Sequence, residues 1–186
     1  KKVNMIDPDL VFVTGDLVDG SSPLSKELFE PLKKLKAPTY YTIGNHELYE
    51  DDIEEVVGLV REAGLIPLRD EKTNFKGLDI VGIDYSDDKN KLRDTLKHIE
   101  IADPAVLLYH EPEEVQVAKK KGFKLMMSGH THRGQIFPYT LIVRASYKYT
   151  GGFYNLGSMR LSISHGTGTW GPPLRLGSRN EIIILN

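Results

Sequence analysis

The stretch Leu10-Val11-Phe12-Val13-Thr14-Gly15-Asp16-Leu17-Val18-Asp19 decides how the whole chain is read. Its apolar run is short and does not alternate with polar residues, the pattern of a strand covered on both faces. It stops at Gly15-Asp16, which places a carboxylate just past the strand's C-terminal end. The same grammar recurs three times: Tyr40-Tyr41-Thr42-Ile43 runs into Gly44-Asn45-His46-Glu47, Ala105 to Tyr109 runs into His110, and Leu125 to Met127 runs into Gly129-His130-Thr131-His132.

Between these strands the pattern is helical. Ser22-Pro23 opens a helical stretch reaching about Leu35, with Pro at the first helical position and Pro31 kinking or restarting it. Asp51 and Asp52 open an amphipathic helix with Ile53, Val56, Val57 and Val60 on one face, closed by Gly64. Leu78 to Ile83 reads as a strand, Leu92, Leu96 and Ile99 carry helical spacing, and Glu113 to Lys120 is a helix with acids first and lysines last, as the macrodipole prefers. Beyond Gly129-His130 the pattern predicts no further helix. Phe153-Tyr154-Asn155, Met159 to Ser164 and Glu181 to Leu185 are expected as strands. This order implies an α/β fold in which a helix-flanked sheet packs on a second sheet. The polar clusters then share the edge where open α/β sheets bind ligands. With no repeat, low-complexity tract or long linker, residues 1–186 are expected to form a single domain.

Composition narrows the chemistry. The 186 residues carry 40% hydrophobic and 27% charged residues, the balance of a folded globular chain. A net charge of -2 provides no global positive field for nucleic acid, so none is expected as a partner, and phosphate recognition must be local. Cysteine is absent, which excludes disulfides, thiolate nucleophiles and zinc-thiolate sites. No apolar run reaches the 18 to 20 or so residues that span a bilayer.

One Asp after a strand is usually a turn or cap residue. Here four of the six histidines, an Asp and an Asn all fall at strand ends that a parallel arrangement brings to one edge. Imidazole with carboxylate and amide oxygen suits Mn, Fe, Zn and similar divalent ions, so a metal centre is the better reading.

These residues, in this order, resemble the calcineurin-like metallophosphoesterase family, whose later motifs read GDxxD, GNH[DE], a single His and GHxH. The resemblance runs from about Pro8 to Leu185. The tail Gly166-Thr167-Gly168-Thr169-Trp170-Gly171-Pro172-Pro173-Leu174-Arg175-Leu176-Gly177 is similar to the bacterial and archaeal YaeI-like and YkuE-like phosphodiesterase branch. The resemblance implies a four-layer α/β/β/α sandwich and a dinuclear centre of two divalent metal ions, Mn, Fe, Zn, Ni or Co with Mn favoured, that generates a metal-bridging hydroxide. It implies that Asp16 bridges both metals, that Asn45, His110 and His130 complete the second, and that His132 reaches the first. It makes His46 a catalytic residue beside the scissile phosphate, stabilising charge or protonating the leaving oxygen. The implied activity is a metal-dependent phosphoesterase, above all a phosphodiesterase, acting on a phosphate ester. A pyrophosphatase of the UDP-diacylglucosamine type and a non-catalytic binding module on the same fold are the alternatives.

The family's Asp-x-His motif is not found upstream of Asp16, where Lys1 to Asp7 contains no His. The chain is therefore expected to be N-terminally incomplete, missing the first βα unit, and the expected location is cytoplasmic or peripherally membrane-associated. Arg133 stands where this branch often has Gly, and Glu111 where Asn is frequent. Arg133 is either a substrate-phosphate ligand or a solvated surface cation. Arg175 is either a bidentate phosphate clamp or part of a structural ion pair. His165 is a candidate to line the site, Trp170 is a stacking platform or loop core, and Asp19 is expected to orient the Asp16 turn. His98 and Lys119-Lys120-Lys121 read as a solvated face and a helix end.

Overall fold

The strand Ala105–Tyr109 is buried throughout, yet it feeds two separate cores. Ala105, Leu107 and Tyr109 join one apolar cluster and Val106 and Leu108 another, because successive side chains of a pleated strand point to opposite faces. The computed structural model describes residues 1–20 and 23–186. In chain order its elements are α1 (Lys2–Ile6), β1 (Val11–Val13), β2 (Thr39–Tyr41), α2 (Ile53–Glu62), β3 (Ile66–Pro67), β4 (Glu71–Phe75), β5 (Leu78–Ile83), α3 (Lys91–Leu96), β6 (Ala105–Tyr109), α4 (Val115–Lys121), β7 (Leu125–Ser128), α5 (Tyr139–Ser146), β8 (Gly152–Asn155) and β9 (Arg160–Ile163).

Two sheets result. A three-stranded parallel sheet has the order β1-β2-β3, and a six-stranded mixed sheet the order β4-β5-β6-β7-β9-β8, in which β5, β6, β7 and β9 run parallel. Tyr40 of the small sheet shares a core with Ile80, Val106, Leu108 and Met127 of the large one, with Leu10 and Phe12 packed against it. Outside the small sheet, Tyr41 and Ile43 pack on Val56, Val57 and Val60 of α2. Outside the large sheet, Val81, Leu107, Met126 and Leu161 pack on Leu92 and Leu96 of α3 and Ala118 of α4. Three cores between four layers make the α/β/β/α sandwich that the family resemblance implies.

The helix expected after Asp52 forms as read. The Asp52 carboxylate accepts from the backbone N–H groups of Glu54 (2.9 Å) and Glu55 (3.4 Å), a cap that stabilises a helix by about 1 kcal/mol. Other boundaries differ. The helix start expected at Ser22 lies outside the described residues, and the stretch up to Leu35 holds two 3-10 turns, Lys26–Leu28 and Leu32–Lys34, split at Pro31. α4 starts at Val115, after the acids. β3 and β4 are short or polar and gave no periodic signal.

Two corrections concern the C-terminal third. A helix, α5, follows the last metal motif. Tyr139, Thr140, Ile142 and Val143 are β-favouring types that hide it, and only Thr140 and Val143 are buried, too few to print a helical period. The strand expected at Glu181–Leu185 does not form. That segment is held through Glu181, whose Oε1 accepts from the His165 backbone N–H at 2.8 Å and whose N–H donates to Gly166 O at 3.1 Å.

Candidate metal centre

β1, β2, β6 and β7 all end on one edge of the sandwich, and the loops that leave them carry Asp16, Asn45, His110 and His130. Two of those loops touch back to back. A Cβ at Gly44 would lie 2.2 Å from Asp16 Oδ1, and a Cβ at Gly15, where φ is +91°, would lie 2.5 Å from Gly44 N. Only glycine allows the loops to approach this closely. Asp16 (φ 56°) and His130 (φ 64°) also hold left-handed backbone, a cost of about 1 kcal/mol or more apiece, and such strain gathers at functional sites.

Glu47 holds the first two loops in register. Its buried carboxylate accepts from Gly44 N (2.6 Å) and Asp16 N (3.0 Å) on Oε2, and from Leu17 N (2.6 Å) and Val18 N (3.4 Å) on Oε1. Burial and the nearby Asp16 charge push its carboxyl above the ordinary range, against the pull of those N–H groups. The sequence gives no signal for this role beyond Glu47's position after Asn45-His46.

Four donor atoms converge. His110 Nε2 lies 3.1 Å from Asp16 Oδ2, 3.1 Å from Asn45 Oδ1 and 3.2 Å from His130 Nδ1, and His130 Nδ1 lies 2.8 Å from Asn45 Oδ1. Donor atoms of Asp16, His110 and His130 all fall within 4.8 Å of one another. The far side of each group is fixed. His110 Nδ1 donates to Thr14 O at 2.6 Å, Asn45 Nδ2 donates to Tyr49 Oη at 3.0 Å, and His130 Nε2 faces Tyr147 Oη at 3.1 Å and Glu111 Oε1 at 3.4 Å. These bonds turn His110 Nε2, Asn45 Oδ1 and His130 Nδ1 inward with Asp16 Oδ2. Such a set of lone pairs demands positive charge at its centre, and outer hydrogen bonds that set ring orientation are the usual support of metal-binding histidines. The donor set therefore fits a divalent ion.

The electrostatics agree. Burial, followed by the His110 charge, holds His130 down at about 4, and burial outweighs the pull of Asp16 to leave His132 at about 4, so both rings are neutral at neutral pH. Burial alone would raise Asp16, but the adjoining His110 and the His46 backbone N–H outweigh it and hold the carboxyl below its ordinary value.

The remaining candidates spread around this cluster. His46 donates its backbone N–H to Asp16 Oδ1 at 3.0 Å, its Nδ1 meets Asp19 O at 2.7 Å, and its Nε2 stands 4.0 Å from Asp16 Oδ2. His132 stays outside the close cluster, with Nδ1 3.5 Å from Arg175 Nη2. The Arg175 guanidinium is engaged by carbonyl oxygens, His165 O at 2.7 Å, Gly168 O at 3.0 Å and His132 O at 3.4 Å, so it fastens the tail loop beside His132. His165 is buried against Gly151, with Nδ1 3.5 Å from Glu181 Oε2. Arg133 is exposed, its guanidinium without a hydrogen-bonded partner among the described residues. Trp170 is partly exposed, edge-on to Tyr139.

Comparison with known proteins points the same way. The family model described as calcineurin-like phosphoesterase matches residues 1–134. A metallophosphoesterase of Helicobacter pylori strain J99 is 33% identical over 198 residues, covering all of this chain and 52% of its own length. One of Campylobacter jejuni is 34% identical with the same coverage. One of Aquifex aeolicus is 33% identical over 191 residues, covering 96% of this chain and 72% of its own. The chain thus spans about half the length of the first two relatives. Motif order, site geometry and the family match agree, and the chain belongs to the calcineurin-like phosphoesterase family.

Proposed function

We propose that this chain is a metal-dependent phosphodiesterase working through a dinuclear centre. The observation that supports this most is the convergence of Asp16, Asn45, His110 and His130 on one position, each oriented from behind. In this reading those four hold one ion, and Asp16 with His132 contributes to a second. Two divalent ions, Mn favoured over Fe, Zn, Ni or Co, would lower the pKa of a water, neutralise phosphate oxygens and align them for in-line attack. Asn45 is a neutral ligand, so it leaves more positive charge facing the phosphate than a second carboxylate would.

The other residues bind and move protons. His46, fixed through Nδ1 to the Asp19 carbonyl, turns Nε2 towards the Asp16 side of the cluster. With both ring nitrogens protonated, it would give the Nε2 proton to the leaving ester oxygen as that P–O bond breaks and a water's oxygen joins phosphorus, the proton shed by the water passing to solvent, from which Nε2 is then reprotonated. Arg133, exposed next to His132 in the chain, would meet a phosphate oxygen, whereas Arg175 holds the loop that backs His132.

Hydrolysis of an aryl phosphodiester by the purified chain with added Mn tests this reading. Asn45→Ala and His130→Ala should each lower kcat by about 100-fold or more, with metal affinity falling in parallel by calorimetry. A chelator should abolish turnover. Unchanged turnover and metal uptake in both variants would refute the assignment.

A further inference from the structure

Ten of the chain's 24 Lys and Arg, and none of its 26 Asp and Glu, fall between Val115 and Asn180. This carboxylate-free segment also carries the most apolar exposed surface next to the metal centre. On α5, Thr140 and Val143 face inward, three residues apart, and Leu141 and Ile142 are left more than half exposed. Phe137, Leu174 and Leu176 are also more than half exposed, and Tyr139 and Trp170 are partly so.

These residues form one surface because the tail loop is riveted to the start of α5. Gln135 Nε2 donates to Trp170 O at 2.8 Å, and Trp170 N donates back to Gln135 Oε1 at 3.0 Å. Leu176 N donates to Gln135 O at 3.0 Å, Phe137 N donates to Leu176 O at 2.7 Å, and the Tyr139 and Trp170 rings meet edge to face at 6.4 Å. Arg144, Lys148, Arg179 and Arg133 stand exposed around it. An exposed apolar patch of this extent, fringed by cations, marks a contact surface.

We propose that this face docks on an anionic lipid bilayer. Leu141, Ile142, Leu174 and Leu176 enter the boundary between headgroups and acyl chains, Tyr139 and Trp170 sit at headgroup level, and Arg144 and Lys148 meet lipid phosphates. Charge selects this occupant. A second copy of the same face would set cation against cation. A polar polyanion would leave the leucines uncovered, whereas an anionic bilayer satisfies both at once. The docked orientation brings the metal centre close to the lipid boundary, since Tyr147 just past α5 touches His130 and Arg175 of the tail loop touches His132. Docking requires no hydrolysis, so its failure and the failure of the phosphodiesterase reading are told apart.

The test is co-sedimentation of the full chain with vesicles of phosphatidylcholine holding about 30% phosphatidylglycerol, and with pure phosphatidylcholine. Binding should require the anionic lipid and weaken as salt rises. Leu141→Glu with Ile142→Glu should cut partitioning by about tenfold or more. Arg144→Gln and Lys148→Gln should each cut it about fivefold. Lys119→Gln with Lys120→Gln, on α4 of the helical layer, should leave it unchanged, and circular dichroism should show all variants folded. Binding indifferent to phosphatidylglycerol, or equally sensitive to the α4 pair, overturns the proposal. So does a dimer in light scattering that Leu141→Glu with Ile142→Glu splits while vesicles go unbound, which would assign the face to a second copy.

Discussion

Residues 1–134 and residues 135–186 solve the same problem by different means. In the first region the metal-facing loops leave parallel strands, and the strand register of β5, β6 and β7 sets where each loop begins. The loops' backbone N–H groups are taken up by a buried carboxylate, Glu47, and their crossing is set by glycines. In the second region the tail after β9 has no ladder to lean on. It is tied by side chains, Gln135 to Trp170 and Arg175 to the carbonyls of His165, Gly168 and His132, and by isolated backbone bonds of Leu176 to Gln135 O and Phe137 N. A loop held by its strand inherits that strand's rigidity, and a loop held by isolated bonds is only as firm as those few bonds.

Glu47→Gln should break the first region hardest. The amide keeps one acceptor but turns two N–H donors towards backbone N–H groups, leaving buried donors unsatisfied at both metal loops. The cost should be about 3 kcal/mol or more in urea unfolding. Divalent ion affinity should fall with it, because Asp16 N and Gly44 N lose their shared anchor. Full metal affinity in a folded Glu47→Gln protein would show that the strands alone position the loops.

The same contrast explains what could be read beforehand. Asp16, Asn45, His110 and His130 were legible because each ends a continuous apolar run, and a parallel sheet brings such ends to one edge. The packing of a helix-flanked sheet on a second sheet was legible for a similar reason: the alternation of strand and helix survives even where boundaries slip. Glu47 carried no role in the sequence reading because its partners are backbone N–H groups, those of Asp16 to Val18 about 30 residues earlier, which print no residue pattern. Tyr147 and Glu111, which face His130 Nε2, carried no such role either, because no sequence pattern couples them to that ring. α5 is hidden because Tyr139, Thr140, Ile142 and Val143 are β-favouring types and only two of its positions are buried. For Arg175 the sequence offers clamp or ion pair, and its partners are carbonyl oxygens, which no side-chain pattern shows.

Substitution in the tail should act locally. Arg175→Lys retains the charge but cannot reach three carbonyls from one planar fork, and Gln135→Ala removes the paired bonds to Trp170. Each should cost about 1 to 2 kcal/mol or less in global stability. The clearer sign should be faster proteolytic cleavage within 166–180, with metal affinity at Asp16, Asn45, His110 and His130 nearly preserved. A loss of metal affinity as large as that of Glu47→Gln would mean that the two regions are not independent.

The smallest expected effect comes from a carboxylate that resembles Glu47 in design but lies at the opposite end of the sheet. Asp79, near the start of β5, accepts from Ala102 N at 2.7 Å and Asn74 Nδ2 at 2.8 Å, with Lys72 Nζ at 3.2 Å. The Ala102 backbone N–H, then Asn74 and Lys72, hold its carboxyl down at about 2, below the ordinary value of 3.8. A group depressed in the folded state stabilises the fold fully above its unfolded pKa, and loses that contribution as pH falls through the folded value. Asp79→Asn should therefore destabilise the protein at pH 7, and the gap to wild type should narrow between about pH 4 and pH 2. Urea unfolding of both proteins across that range measures it. Metal affinity at neutral pH should not move, since the hydrogen-bond partners of the Asp79 carboxylate among the described residues, Lys72, Asn74 and Ala102, lie outside the metal-facing loops. A gap that stays constant with pH would mean that Asp79 acts through packing, and a drop in metal affinity would mean that the far end of the sheet helps to set the geometry attributed here to Glu47.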